Sequence, residues 1–127
     1  MAYKTTQKHF DLFVKEAKGF IDLFGLKDWR IEFEFGVDNE GYARAQCVHS
    51  YDDGQWAVLR LAKKWDIVPT STQIRENAFH EVCHVLLTDS LNIRLYDDLS
   101  PSQTQKALDR AHHAVIRRLE NAFLGGE

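Results

Sequence analysis

The apolar residues of this chain change period near Gly25. Before it, Phe10, Phe13, Val14, Ala17, Phe20, Ile21 and Phe24 recur three and four residues apart, with charged residues between them. That spacing predicts a helix from about Thr5 to Phe24 with one buried face. Thr5 or Thr6 can cap its start, and Gly25 stands where helices commonly end on a left-handed residue. After Gly25, Trp29, Ile31, Phe33 and Phe35 alternate with Arg30, Glu32 and Glu34, the period of a half-buried strand. A chain that changes from one period to the other has to lay a helix on a sheet.

Two more strands are expected. From Tyr42 to Ser50, Ala43, Ala45 and Cys47 share one face opposite Arg44, Gln46 and Val48. Asp52, Asp53 and Gly54 supply a turn, and Ala57, Leu59 and Leu61 then alternate along Trp56 to Leu61. Short connections suggest an antiparallel meander, with small residues on its middle strand leaving room for a helix. Pro69 and the run Thr70, Ser71, Thr72 offer caps for a second helix, from about Thr72 to Thr88, followed by a polar loop. Ser100, Pro101 and Gln103 mark the start of a third helix as N-cap, first helical residue and capping-box partner. Its apolar stripe is Leu108, Ala111, Val115, Leu119 and Ala122, and Gly125-Gly126 closes it. The expected architecture is α+β: an N-terminal helix, a three-stranded mainly antiparallel sheet and two further helices, in one domain over residues 1–127.

Composition bounds what such a domain can do. With 44% apolar and 12% aromatic residues in 127, the chain can bury a core, which excludes disorder. A net charge of −3 argues against binding nucleic acid through bulk positive charge. No apolar run approaches the ~20 residues needed to cross a bilayer, and Met1 to Phe10 lack a signal-peptide pattern. Cys47 and Cys83 are too few for a disulfide framework. A cytoplasmic location is the expectation.

The chemistry lies in His80-Glu81-Val82-Cys83-His84, an H-E-x-x-H sequence inside the second predicted helix. Ile74, Ala78, Val82, Val85 and Leu86, with Phe79 and Leu87 beside them, give that helix its apolar face. Residues four apart stack on a helix face, so His80 and His84 can point at one ion. Glu81 is turned about 100° from His80, placed to reach a water without ligating the metal. Zinc brings such a water toward a pKa of about 7, and a nearby carboxylate can take its proton and deliver it to a leaving amine. The expectation is one Zn²⁺ per chain with Glu81 as general base and then acid.

A catalytic zinc normally has three protein ligands. The last helix offers His112 and His113, and its apolar stripe favours His112, with His113 turned toward the polar side. Asp97, Asp98 and Asp109 are acidic alternatives, whereas Glu120 reads as facing away from the stripe. Cys47 and Cys83 read as core, and His9 and His49 as surface residues. Trp29, Trp56 and Trp65 read as core in a domain this small. Tyr42 or Tyr96 would suit an oxyanion donor, but the sequence places neither near the metal.

HEVCHVLL on a helix, preceded by WRIEFEF and a three-strand region, resembles the small zincin-like metallopeptidases of phage and prophage genomes. The plan is similar to minimal gluzincin and SprT-like cores: a sheet, an H-E-x-x-H helix packed on it, and a later helix giving the third ligand. The resemblance spans most of the chain, and its specific part is the five-residue motif. Gluzincin-like relatives commonly use a glutamate on the later helix. Here AHHAVIRRLE occupies that stretch, so His112 or His113 would stand in its place, and the His-Gly pair usual in SprT-like proteins is missing. The resemblance implies hydrolysis of a peptide or protein substrate, in the host cytoplasm if the chain is phage-encoded. An extended substrate would pair with an edge strand, expected to be Trp56 to Leu61. The competing expectations are a non-catalytic binding module that keeps a structural metal in a degenerate peptidase fold, and hydrolysis of a non-peptide amide.

Overall fold

Val58 and Leu59 are adjacent, yet both are buried, one on each face of the sheet. A strand flanked by a neighbour on each side can do this even where one face is not covered by helices, and the strand order places Trp56–Leu61 at the centre of the sheet. A computed structural model of the chain describes residues 3–36, 43–50, 55–95 and 101–124, with the side chains of 49–50, 89–95, 101–105, 107–109 and 111–112 outside the description. The elements are β1 (Tyr3–Lys4), α1 (Gln7–Leu23), β2 (Arg30–Phe35), β3 (Ala45–Ser50), β4 (Trp56–Leu61), β5 (Lys64–Trp65), α2 (Ser71–Leu95) and α3 (Pro101–Phe123). Over the described residues the protein is α+β, with three helices and a small sheet. Among the described residues no helix is long and apolar enough to cross a membrane.

The sheet order is β2-β4-β3. β3 and β4 form the expected antiparallel pair, with Cys47 opposite Leu59. β2 runs parallel to β4, with Phe33 opposite Leu59. The meander expectation is corrected here, and so is the edge position of Trp56 to Leu61. WAVLRL is the most continuously apolar of the three segments and takes the centre, while RIEFEF, charged at every second residue, takes an edge. The turn expected at Asp52, Asp53 and Gly54 lies outside the described residues. A two-stranded ribbon, β1 against β5, was not foreseen. It is tied in by Thr5, whose hydroxyl donates to the Ala62 carbonyl at 2.7 Å.

The register puts Ile31, Phe33 and Phe35, Ala57, Leu59 and Leu61, and Ala45 and Cys47 on one face. Helices α1 and α2 cover that face with Phe13, Ala17 and Phe20, and with Ile74, Ala78, Phe79, Val82 and Val85. Phe10 stacks on Phe35 at 5.1 Å between centroids, and Phe20 meets Phe79 edge-on at 4.9 Å. The other face carries the surface ion pairs Arg30–Glu32 and Arg60–Glu34. Trp29 and Trp65 are buried, and the Trp65 indole donates to the Arg44 carbonyl at 3.1 Å, fixing the start of β3.

Helix ends follow the sequence where they are described. Thr6 caps α1 with a reciprocal box to His9, and Gly25 takes φ +67° after its last turn. Thr70 caps α2, accepting from the Gln73 amide at 3.2 Å while Gln73 reaches back at 3.4 Å. α2 runs about two turns beyond the expected end at Thr88. α3 starts at Pro101 as expected, while Ser100 and Gly125-Gly126 lie outside the described residues.

Candidate metal centre

α2 fastens its apolar side to α1 and β3 through Ile74, Ala78, Phe79, Val82, Cys83 and Val85, all fully buried. Burying that side fixes the rotation of the helix, which leaves His80 and His84 half-buried at its margin. Their rings stand 5.0 Å apart between centroids, one turn above the other. Thr88 locks the same turn from below, its buried hydroxyl donating to the His84 carbonyl at 2.6 Å.

Among the described residues a third imidazole comes from α3, that of His113. Its ring lies 5.4 Å from that of His80 and 5.1 Å from that of His84. One ligating nitrogen from each of the three falls within 4.8 Å of the others. Nitrogens around a tetrahedral zinc, each at 2.0–2.1 Å, are about 3.4 Å apart, so small ring rotations would close the set on an ion. The donor set fits zinc: three imidazoles, with no fourth ligating side chain in the group among the described residues. His113 is exposed, so the group opens to solvent on the α3 side.

His112, favoured by the stripe, has a side chain outside the described residues, as has Asp109; Asp97, Asp98, Tyr42 and Tyr96 lie outside them altogether. The expected stripe holds in part, with the side chains of Leu108 and Ala111 outside the description. Ile116 is fully buried and Val115, Leu119 and Glu120 are half-buried, while Ala122 is exposed. Ile116 and Glu120 lie toward α2, and His113, three residues before Ile116, is exposed yet brings its ring beside those of His80 and His84. Glu120 does not face away. Its carboxylate lies 3.5 Å from Nδ1 of His80. Ile116 stands four residues after His112 and three after His113, so the apolar pattern did not separate the two histidines.

Glu81 is only 6% exposed, and its carboxylate helps line an open cleft of about 410 Å³ with Ala45 of β3, Asp66, Glu76 and Glu120. Burial, with the Glu120 carboxylate as a second cause, pushes its pKa up to about 8. Burial lowers the His80 imidazole, against the pull of Glu120, and so favours its neutral, ligating form. Cys83 is pushed up to about 12 by burial, and Cys47 is likewise raised by burial, with Glu81 second. Both stay thiols, as packing residues do. At the rim, Arg44 grips Asp66 with two hydrogen bonds of 2.8 and 3.0 Å.

No comparison identifies the chain. No protein-family model matches it, and neither a curated protein nor a solved structure is significantly similar to it. The functional reading therefore rests on the site alone.

Proposed function

We propose that the protein is a zinc-dependent hydrolase acting on peptides, with His80, His84 and His113 holding one zinc ion per chain. His113 takes the part that the helical stripe assigned to His112. The observation that carries this reading is the meeting of three imidazoles from α2 and α3 beside a buried glutamate, one residue after the first of them. When bound, zinc acidifies water and polarises a carbonyl group. Glu81 accepts a proton from a water held in the cleft and returns it to the leaving amine. A carboxyl whose pKa is lifted above the ordinary range is suited to holding and releasing a proton near neutrality. Three protein ligands leave a position for water or substrate, which favours catalysis over a structural metal. The edge strand beside α2 is β3, so an extended substrate would pair with Ala45–Ser50 rather than with β4.

The test is metal content and peptide cleavage on the same preparations. Purified protein should carry about one zinc per chain, lost in His80→Ala and in His84→Ala. Glu81→Gln should keep the zinc and lose roughly 10²–10⁴ in the rate of cleaving a mixed peptide library. Zinc near one per chain in both histidine variants would refute the metal centre. Zinc retained with no cleavage of any peptide by the unaltered chain would refute the hydrolase.

A further inference from the structure

α3 brings a carboxylate to the site as well as an imidazole. Seven residues after His113, two turns along the same face, Glu120 places Oε2 3.5 Å from Nδ1 of His80. The two side chains are similarly enclosed, 29% exposed for His80 and 31% for Glu120. Ile116, fully buried between His113 and Glu120 on the helix, fixes the rotation that delivers both. Glu120 is not a member of the three-imidazole group. It lies against Nδ1 of His80, which leaves Nε2 as the nitrogen that ring can offer to the group.

We infer that Glu120 is a positioning residue for the metal centre: its carboxylate accepts a hydrogen bond from Nδ1–H of His80 and thereby presents Nε2 of that ring to the ion. This rests on the metal reading proposed above. An imidazole has two nitrogens, and a proton held on one leaves the lone pair on the other. A ring that can rotate and exchange tautomers spends part of its time with the wrong nitrogen, or no nitrogen, toward the metal. A carboxylate at Nδ1 selects one tautomer, fixes the ring plane and makes Nε2 a better donor. The same arrangement makes α3 a single docking unit, in which one face supplies a ligand and also orients a ligand of α2.

The test uses the full chain with Zn²⁺ or Co²⁺ as the only added probe. Competition with a chelator should show Glu120→Ala binding zinc roughly ten- to a hundredfold more weakly than the unaltered chain. Glu120→Gln, whose amide oxygen still accepts from Nδ1–H, should recover most of that loss. In the cobalt-loaded protein, the Nδ1–H of His80 should give a hyperfine-shifted proton resonance that exchanges slowly with water. Glu120→Ala should quicken that exchange until the resonance is lost, and Glu120→Gln should quicken it less. The visible cobalt absorption should stay the same in both, because the donor set is unchanged. Unaltered zinc affinity with unaltered proton exchange would overturn the assignment. A changed cobalt absorption would overturn it too, by making Glu120 a ligand. If Glu120→Ala does not fold, Glu120→Gln decides through the same proton. If His80→Ala keeps full zinc affinity, the metal reading itself has failed; if it loses zinc and the Glu120 variants match the unaltered chain, only the positioning role has failed.

Discussion

Glu81 is a carboxyl group kept almost entirely from water, and this has a measurable consequence for the metal-free protein. Its pKa rises from 4.5 to about 8 in the fold. Between those values the unfolded chain has released a proton that the folded chain still holds, so stability falls as pH rises. At about 1.4 kcal/mol for each pH unit, the loss between pH 5 and pH 8 comes to about 3–4 kcal/mol. That is a large share of the 5–15 kcal/mol that typically holds a domain together. Glu81→Gln cannot ionise. Its amide carries a cost of its own, about 1–3 kcal/mol if it finds no partner, but that cost is independent of pH. Relative to the unaltered protein the variant should therefore gain about 3–4 kcal/mol between pH 5 and pH 8, starting from no more stable at pH 5. Urea unfolding in the presence of a chelator, followed by the fluorescence of the buried Trp29 and Trp65, measures both curves. Saturating zinc should flatten the curve of the unaltered protein, because a dication beside the carboxylate favours its charged form. Parallel curves for the two proteins in chelator would refute the argument, since they would mean that Glu81 is already ionised or is reached by water in the fold.

Three further outcomes are expected. His113→Ala should weaken zinc binding far more than His112→Ala in a chelator competition; the opposite order would return the third ligand to the residue that the stripe favoured. Leu59→Ala, at a fully buried position of the central strand, should cost about 2–5 kcal/mol in urea unfolding, and Ile31→Ala on the half-buried edge strand should cost less; the reverse order would count against the order β2-β4-β3. Zinc should slow amide hydrogen exchange along α3, because metal ligation ties His113 to α2. Equal exchange with and without zinc would separate His113 from the metal.

The fold was legible wherever one side of an element is apolar and the other polar. α1 shows its buried face in Phe13, Ala17 and Phe20, and β2 shows its own in Ile31, Phe33 and Phe35. Alternation reports which face of a strand is buried, but it says nothing of which strand lies beside which. The order β2-β4-β3 depends on Val58, an apolar residue on the face that alternation assigns to solvent. Its burial is the trace of a strand with a neighbour on each side. β1 and β5 left no such trace, because two-residue ribbons are too short to show a period.

The stacking on α2 was legible, whereas on α3 the sequence did not separate His112 from His113, and the reason is physical. Spacing alone stacks His80 over His84, since the helix repeat puts residues four apart on one line whatever surrounds them. α3 had to be oriented by its apolar residues, and an apolar stripe finds the inward face only when that face is apolar. Here the inward face is mixed. Ile116 is fully buried, Glu120 is half-buried against His80, and His113 is exposed with its ring beside those of His80 and His84. A half-buried carboxylate is unfavourable on a helix that needs only to pack, and it becomes favourable where it meets a partner. A conflict between hydrophobic pattern and burial is itself what a functional site leaves in a sequence. On α3 that conflict falls at Glu120, which lies against His80 of the H-E-x-x-H helix.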